Sequence, residues 1–218
     1  MQARLLKGKA REGLLIFFTG WGLDERPFAS LTAQSPFDLF ILFDYRELSL
    51  PPWPEGYPRY YVLGWSLGGV VALKLAPHLP YPLYILGATG FFCHPRWGIP
   101  PKIFALTLSG LKKYGLKSLK KFYQNMFRED PGLEQFWKNP PQRPLAALIE
   151  ELEIAQNYTT RTSEATQVII TAKDPIIPPR AQQAFWQGKP VQTRPWGHFP
   201  FYRFRDFSTL LRNFSPEV

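Results

Sequence analysis

The stretch GWSLGG, residues 64 to 69, follows the apolar run YYVL (60 to 63) and precedes VVALKLA (70 to 76). Glycines two residues to either side of Ser66, between a strand-like and a helix-like segment, match the G-x-S-x-G strand-turn-helix elbow of a nucleophilic serine. Gly64 and Gly68 suit such a turn because it strains the serine backbone and presses strand against helix, leaving no room for larger side chains. The turn would leave Ser66 Oγ exposed at a helix N-terminus. There the helix dipole favours developing negative charge, and the backbone N–H of Leu67 would point at an oxyanion. The bare pattern arises by chance in many chains, so the reading depends on partners.

A serine hydroxyl needs a base within hydrogen-bond reach and a carboxylate behind that base. The chain has three histidines. His78, in APHLP (76 to 80), reads as a helix end, and His94, in FFCHP (91 to 95), has no orienting acid nearby in sequence. His198, in WGHFP (196 to 200), follows the last short strand and precedes the terminal helix, so its loop opens toward the strand ends and it is the expected base. In TAKDPIIP (171 to 178), Asp174 ends a buried strand 24 residues before His198. An Asp-Pro pair also initiates turns, and Asp44 in LFDYR (42 to 46) is the rival acid. Only Asp174 keeps the chain order Ser, Asp, His expected of this elbow. The loop TGWGLD (19 to 24) after the first buried strand is placed to give a second oxyanion donor, the Trp21 N–H, beside that of Leu67.

These residues need a scaffold that gathers strand ends. Short apolar runs predict strands at Leu14 to Thr19, Phe37 to Tyr45, Tyr60 to Trp65, Leu83 to Ala88 and Gln167 to Ala172, with a shorter one from Val191. Helical patterns at Glu25 to Gln34, Leu67 to His78, Arg180 to Gln187 and Tyr202 to Phe214 alternate with them, which predicts an α/β fold with a mostly parallel central sheet flanked by helices. Prolines at 51, 52, 54 and 58 argue against an ordinary crossover helix between Arg46 and Arg59. From Phe91 to about Glu150 the alternation stops, and that stretch is too long for a loop. It reads as a helical lid insertion over the site in a single domain whose core is 1–90 and 151–218.

Composition bounds the class. With 45% apolar residues the chain can bury a sizeable core, yet no apolar run is long enough to span a bilayer. The basic start MQARLLKGK lacks a signal-peptide core, and the single Cys93 suits a reducing compartment, so a soluble cytoplasmic protein is expected. No His/Cys cluster has metal-ligand spacing, and no nucleic-acid motif is present.

With these pieces the chain resembles an α/β-hydrolase. GWGL (20 to 23), GWSLGG and Gly197-His198 are similar to the pimeloyl-acyl-carrier-protein methyl ester esterases of biotin synthesis, of the BioH and BioG types. The short chain and FDYREL (43 to 48) are nearer to BioG, and GWSLGG is nearer to BioH; Thr19-Gly20 replaces the usual His-Gly before the tryptophan. The resemblance implies a cytoplasmic esterase with no metal or organic cofactor. It would cleave the methyl ester of a pimeloyl chain held on acyl carrier protein, with Ser66 as nucleophile, His198 as base and Asp174 orienting it.

Charge adds a second line. Between Phe91 and Glu150 ten bases face four acids, leaving +6 of the chain's +9. Across Leu111 to Phe127, helical spacing puts Lys113, Lys117, Lys120 and Lys121 on one arc and Leu111, Leu116, Leu119, Phe122, Tyr123 and Met126 on another. The lid would thus turn an apolar face inward to a fatty chain and a cationic face toward acyl carrier protein. An ordinary solvated amphipathic helix or a membrane-surface helix has the same pattern. Two further readings stay open: a serine esterase or thioesterase for small acyl substrates, and a non-catalytic hydrolase-fold binding protein. Sequence leaves the oligomeric state undetermined.

Overall fold

The computed structural model describes residues 1–161 and 165–215. Among them seven strands form one sheet: β1 (Gln2–Leu6), β2 (Gly13–Phe18), β3 (Phe37–Phe43), β4 (Tyr60–Trp65), β5 (Leu83–Leu86), β6 (Gln167–Thr171) and β7 (Gln192–Arg194). The spatial order is β1-β3-β2-β4-β5-β6-β7, parallel throughout except that β1 pairs antiparallel with β3. All residues of β2 and β3 are buried, as both faces of a covered parallel sheet require. Edge strand β1 was not expected from sequence, because its five residues are mostly exposed and carry little apolar signal.

Helices α1 (Ala29–Gln34), α2 (Leu67–Leu75), α7 (Pro179–Phe185) and α8 (Phe207–Leu211) flank the sheet, with α2 packed on β2, β4 and β5. The connection Arg46 to Arg59 holds no helix. The terminal helix is shorter than the expected Tyr202 to Phe214. A separate turn of 3-10 helix runs over Pro200–Arg203, and the Asp206 carboxylate, accepting from Thr209 N–H at 2.8 Å, starts α8 afresh. Beneath this end, Phe17 meets Phe28 edge-on at 5.0 Å and Phe201 at 5.4 Å, so aromatic packing joins the central strand to the loop after His198.

Four helices lie between β5 and β6: α3 (Pro101–Tyr114), α4 (Leu116–Met126), α5 (Leu133–Lys138) and α6 (Leu145–Ala155), the last crossing residue 150. The single helical arc expected over Leu111 to Phe127 does not exist. Gly115, at φ 55° and ψ −129°, ends α3 and turns the chain back into α4, and Ser118 Oγ donates to Gly110 O across the hairpin at 2.8 Å. The turn changes which residues face inward. Leu111, Leu119, Tyr123 and Met126 are buried, but Leu116 is 68% exposed and does not belong to the inner face.

Candidate active site

The elbow forms at the carboxyl end of β4. Ser66 adopts φ 56° and ψ −125°, a region worth about 1–3 kcal/mol of strain for a residue with a Cβ. Close packing holds it there. A Cβ on Gly68 would lie 2.1 Å from the Phe18 carbonyl oxygen, and one on Gly64 would lie 2.8 Å from Gly69 Cα, so the two glycines let helix and strands meet. The Ser66 carbonyl accepts from Gly69 N–H at 3.0 Å and begins α2. Leu67 is the first residue of α2, where a backbone N–H has no partner within the helix.

Asp174 sits in the turn after β6. Its Oδ1 accepts from Ile176 N–H at 2.8 Å and Ile177 N–H at 2.9 Å, and its Oδ2 accepts from the Thr171 hydroxyl at 2.9 Å. His198 Nδ1 lies 2.9 and 2.8 Å from the two carboxylate oxygens. Between an imidazole nitrogen and a carboxylate the nitrogen must donate, so Nδ1 carries a proton, and in the neutral ring it is Nε2 that has the lone pair. Both side chains are almost fully buried. The indole of Trp65, the residue before Ser66, donates to the His198 carbonyl at 2.8 Å, which ties the histidine loop to the elbow.

The other sequence candidates lie elsewhere. Asp44, at φ 60°, is bound by Arg46 at 2.7 and 2.8 Å and by Arg143 at 3.1 Å, so it joins a charged network with the buried Glu151 of α6. His94 Nδ1 accepts from the N–H groups of Arg96 and Trp97 within its own turn, and His78 is exposed beyond α2. Trp21 is 3% exposed beside Ser66; its indole donates to Leu148 O of α6 at 3.0 Å, and its ring meets Phe122 of α4 edge-on at 4.8 Å. Tyr123 of α4 donates to Gly22 O at 2.6 Å. The insertion therefore clamps the loop that was expected to supply the second oxyanion donor.

Ser66 and Trp21 open into a cavity of about 650 Å³, a size typical of small-molecule sites. Its walls are mainly apolar, with Phe92, Phe104, Leu111 and Leu152 among them, and Lys117 and Lys121 of α4 stand at one side. Lys113 and Lys120 are exposed on the same hairpin, with Lys113 on α3 and not on the helix of the other three. Among the described residues no cluster of three His, Cys, Asp or Glu could hold a metal ion.

Sequence reading missed three supports. Trp65 braces the His198 carbonyl. Gln182 of α7, fully buried, donates to the Thr171 hydroxyl at 3.0 Å and to Ile177 O at 2.9 Å, beneath Asp174. Asp130 of the insertion reaches the histidine loop. The one local signal was Trp65 within the elbow itself.

A seven-stranded, mostly parallel sheet with a serine elbow and flanking helices is the α/β-hydrolase fold. A meta-cleavage product hydrolase shares it, with a TM-score of 0.52 at 11% identity over 99% of this chain and 94% of that one. The chain belongs to the family described as pimeloyl-ACP methyl esterase BioG, whose model matches residues 1–210. The match is to BioG, which corrects the mixed BioH and BioG resemblance. The crystal structure of BioG from Haemophilus influenzae superposes with a TM-score of 0.80 at 25% identity, covering 96% of this chain and 99% of that one. A malonyl-[acyl-carrier protein] O-methyltransferase of Bacteroides fragilis is 35% identical over 185 residues, 81% of this chain; the chain spans only 37% of that relative's length. None of the described helices is long and apolar enough to cross a membrane.

Proposed function

We propose that the chain is a cytoplasmic serine esterase that hydrolyses the methyl ester of a pimeloyl chain carried on acyl carrier protein, in biotin synthesis. The observation that carries the proposal is the buried His198–Asp174 pair at 2.8 Å, tied through Trp65 to a strained Ser66 elbow that opens into an apolar cavity. Family membership narrows the substrate. Ser66 Oγ attacks the ester carbonyl while His198 Nε2 takes its proton, and the N–H groups of Trp21 and Leu67 hold the tetrahedral oxyanion. His198 returns the proton to departing methanol. It then activates a water that splits the acyl-enzyme, freeing the pimeloyl carboxylate still on its carrier. Asp174 keeps the imidazole in the tautomer this needs. The apolar cavity suits the acyl chain, and Lys113, Lys117, Lys120 and Lys121 suit the acidic carrier or the phosphate of its prosthetic arm.

Methanol release from the pimeloyl-carrier methyl ester, with free pimelate methyl ester in parallel, tests this in the wild type and Ser66→Ala. Carrier-dependent turnover that disappears in the variant is the expected result. Turnover of the free ester alone would replace the reading with a small-ester hydrolase. If neither ester turns over and a fluorophosphonate fails to label Ser66, the protein is a binding protein on a hydrolase scaffold.

A further inference from the structure

His198 does not stand on Asp174 alone. Its loop is gripped from the insertion by Asp130, in the connection between α4 and α5, whose carboxylate is fully buried. Oδ1 of Asp130 accepts from Gly197 N–H at 3.1 Å and Oδ2 from Phe199 N–H at 2.8 Å, the amides on either side of His198. Arg203 Nε donates to Oδ1 at 2.7 Å and its Nη2 to Glu129 O at 2.6 Å. The fit explains the glycine before the histidine: a Cβ at Gly197 would lie 2.5 Å from Asp130 Oδ2. Phe127 and Phe199 close the same contact with ring centroids 4.5 Å apart.

We propose that Asp130 is a positioning residue for His198, so that the insertion, besides covering the cavity, sets where the base stands. This rests on His198 being the base in the proposed function. The loop is then fixed at four successive residues: Trp196 O accepts from Lys173 N–H, Gly197 and Phe199 donate to Asp130, and His198 O accepts from Trp65. Two acceptor oxygens on one rigid group are required, because both neighbours present N–H donors. Asparagine at 130 keeps the shape but must turn its amide NH2 toward one of them, donor against donor. The insertion accordingly has two parts. The segment from Phe127 to Phe136 is locked to the histidine loop, while the α3–α4 hairpin carries the exposed Ile103, Leu106, Tyr114 and Leu116.

The test uses p-nitrophenyl butyrate, whose hydrolysis needs the serine and its base but no carrier, with Asp130→Asn, Asp130→Ala, Arg203→Gln and His198→Ala in the full chain. A catalytic group displaced by about 1 Å loses on the order of 100-fold in rate. Asp130→Asn should therefore lower kcat by about 10- to 100-fold with KM within about twofold. Arg203→Gln, which leaves both amide acceptors in place, should lose no more than about threefold. Should Asp130→Ala fail to fold, the isosteric Asp130→Asn carries the result, checked by its melting curve and by the downfield Nδ1 proton resonance of His198, which should broaden or vanish. An unchanged kcat in Asp130→Asn overturns the proposal, as does an equal loss in Arg203→Gln, which would make the contact a mere fastening of insertion to core. If His198→Ala keeps full turnover while the wild type is active, the base assignment itself is wrong and the brace falls with it.

Discussion

At Ser66 two demands conflict. The proposed nucleophile needs a side chain that faces the cavity, and the turn puts a residue with a Cβ at φ 56°. A glycine there would relieve about 1–3 kcal/mol of strain while adding about 0.5–1 kcal/mol of unfolded-state entropy to be lost. Alanine relieves nothing, since it keeps the Cβ. Ser66→Gly should therefore melt above Ser66→Ala by about 2–4 °C, the shift that about 1 kcal/mol gives in a chain of this size, with both unable to react with a fluorophosphonate. Equal melting temperatures in differential scanning calorimetry would show that the elbow stores no strain at this residue. Asp174 and His198 were readable because motif order names them. Their supports were not, since Gln182 reaches Asp174 and Asp130 reaches the amides flanking His198 only through folding, and the two look in sequence like an ordinary helix glutamine and a turn aspartate.

Among the elements, the α3–α4 hairpin most changes the sequence picture. The expected cationic arc assumed one continuous helix, and Gly115 breaks it, so Lys113 leaves the face shared by Lys117 and Lys121. Periodicity cannot see this, because a glycine inside an otherwise helical pattern can either be tolerated or end the helix. Lys117 and Lys121 line the cavity, so under the proposed function they are the two that would meet a negative group on an arriving substrate. Reversing both, with Lys117→Glu and Lys121→Glu combined, should lower the ratio of carrier-bound to free-ester kcat/KM by about tenfold, an effect that fades in high salt. A ratio that stays constant across salt would remove the hairpin from carrier recognition. Strand β1 was missed at the other edge for a related reason: an edge strand with exposed side chains has no burial pattern to betray it.

For the molecule as a whole, buried carboxylates set the response to acid. Asp38 accepts from Gly8 N–H at 2.8 Å, Tyr57 OH at 2.6 Å and Lys7 Nζ at 3.0 Å. Burial opposes its ionisation, but these donors outweigh burial and hold its pKa below the ordinary 3.8. Asp44 is likewise lowered: burial is overcome by the Arg46 hydrogen bond and the Arg143 charge. A carboxylate with a lowered folded pKa adds stability above its unfolded value and loses it as pH falls through the folded one. Glu151 has the opposite sign, because burial raises its pKa despite Arg143 and the Tyr45 N–H, so its contribution weakens as pH rises. Urea unfolding between pH 2 and 6 should show stability dropping below 3.8, with a shallower drop in Asp38→Asn and Asp44→Asn. An undiminished acid slope in both variants would place the acid sensitivity elsewhere.

The sequence by itself determined the chain order of six of the seven strands, the elbow and its candidate acid and base, because short apolar runs, glycine spacing and motif order are local properties. Tertiary structure alone decided that Asp174 comes within 2.8 Å of His198, that Trp65, Gln182 and Asp130 support that pair and its loop, and that the insertion folds back at Gly115 and clamps the Trp21 loop. The Trp65 and Asp130 contacts join residues far apart in the chain, and a hydrogen bond of 2.8 Å depends on where two backbones pass each other, which no run of neighbouring residues encodes.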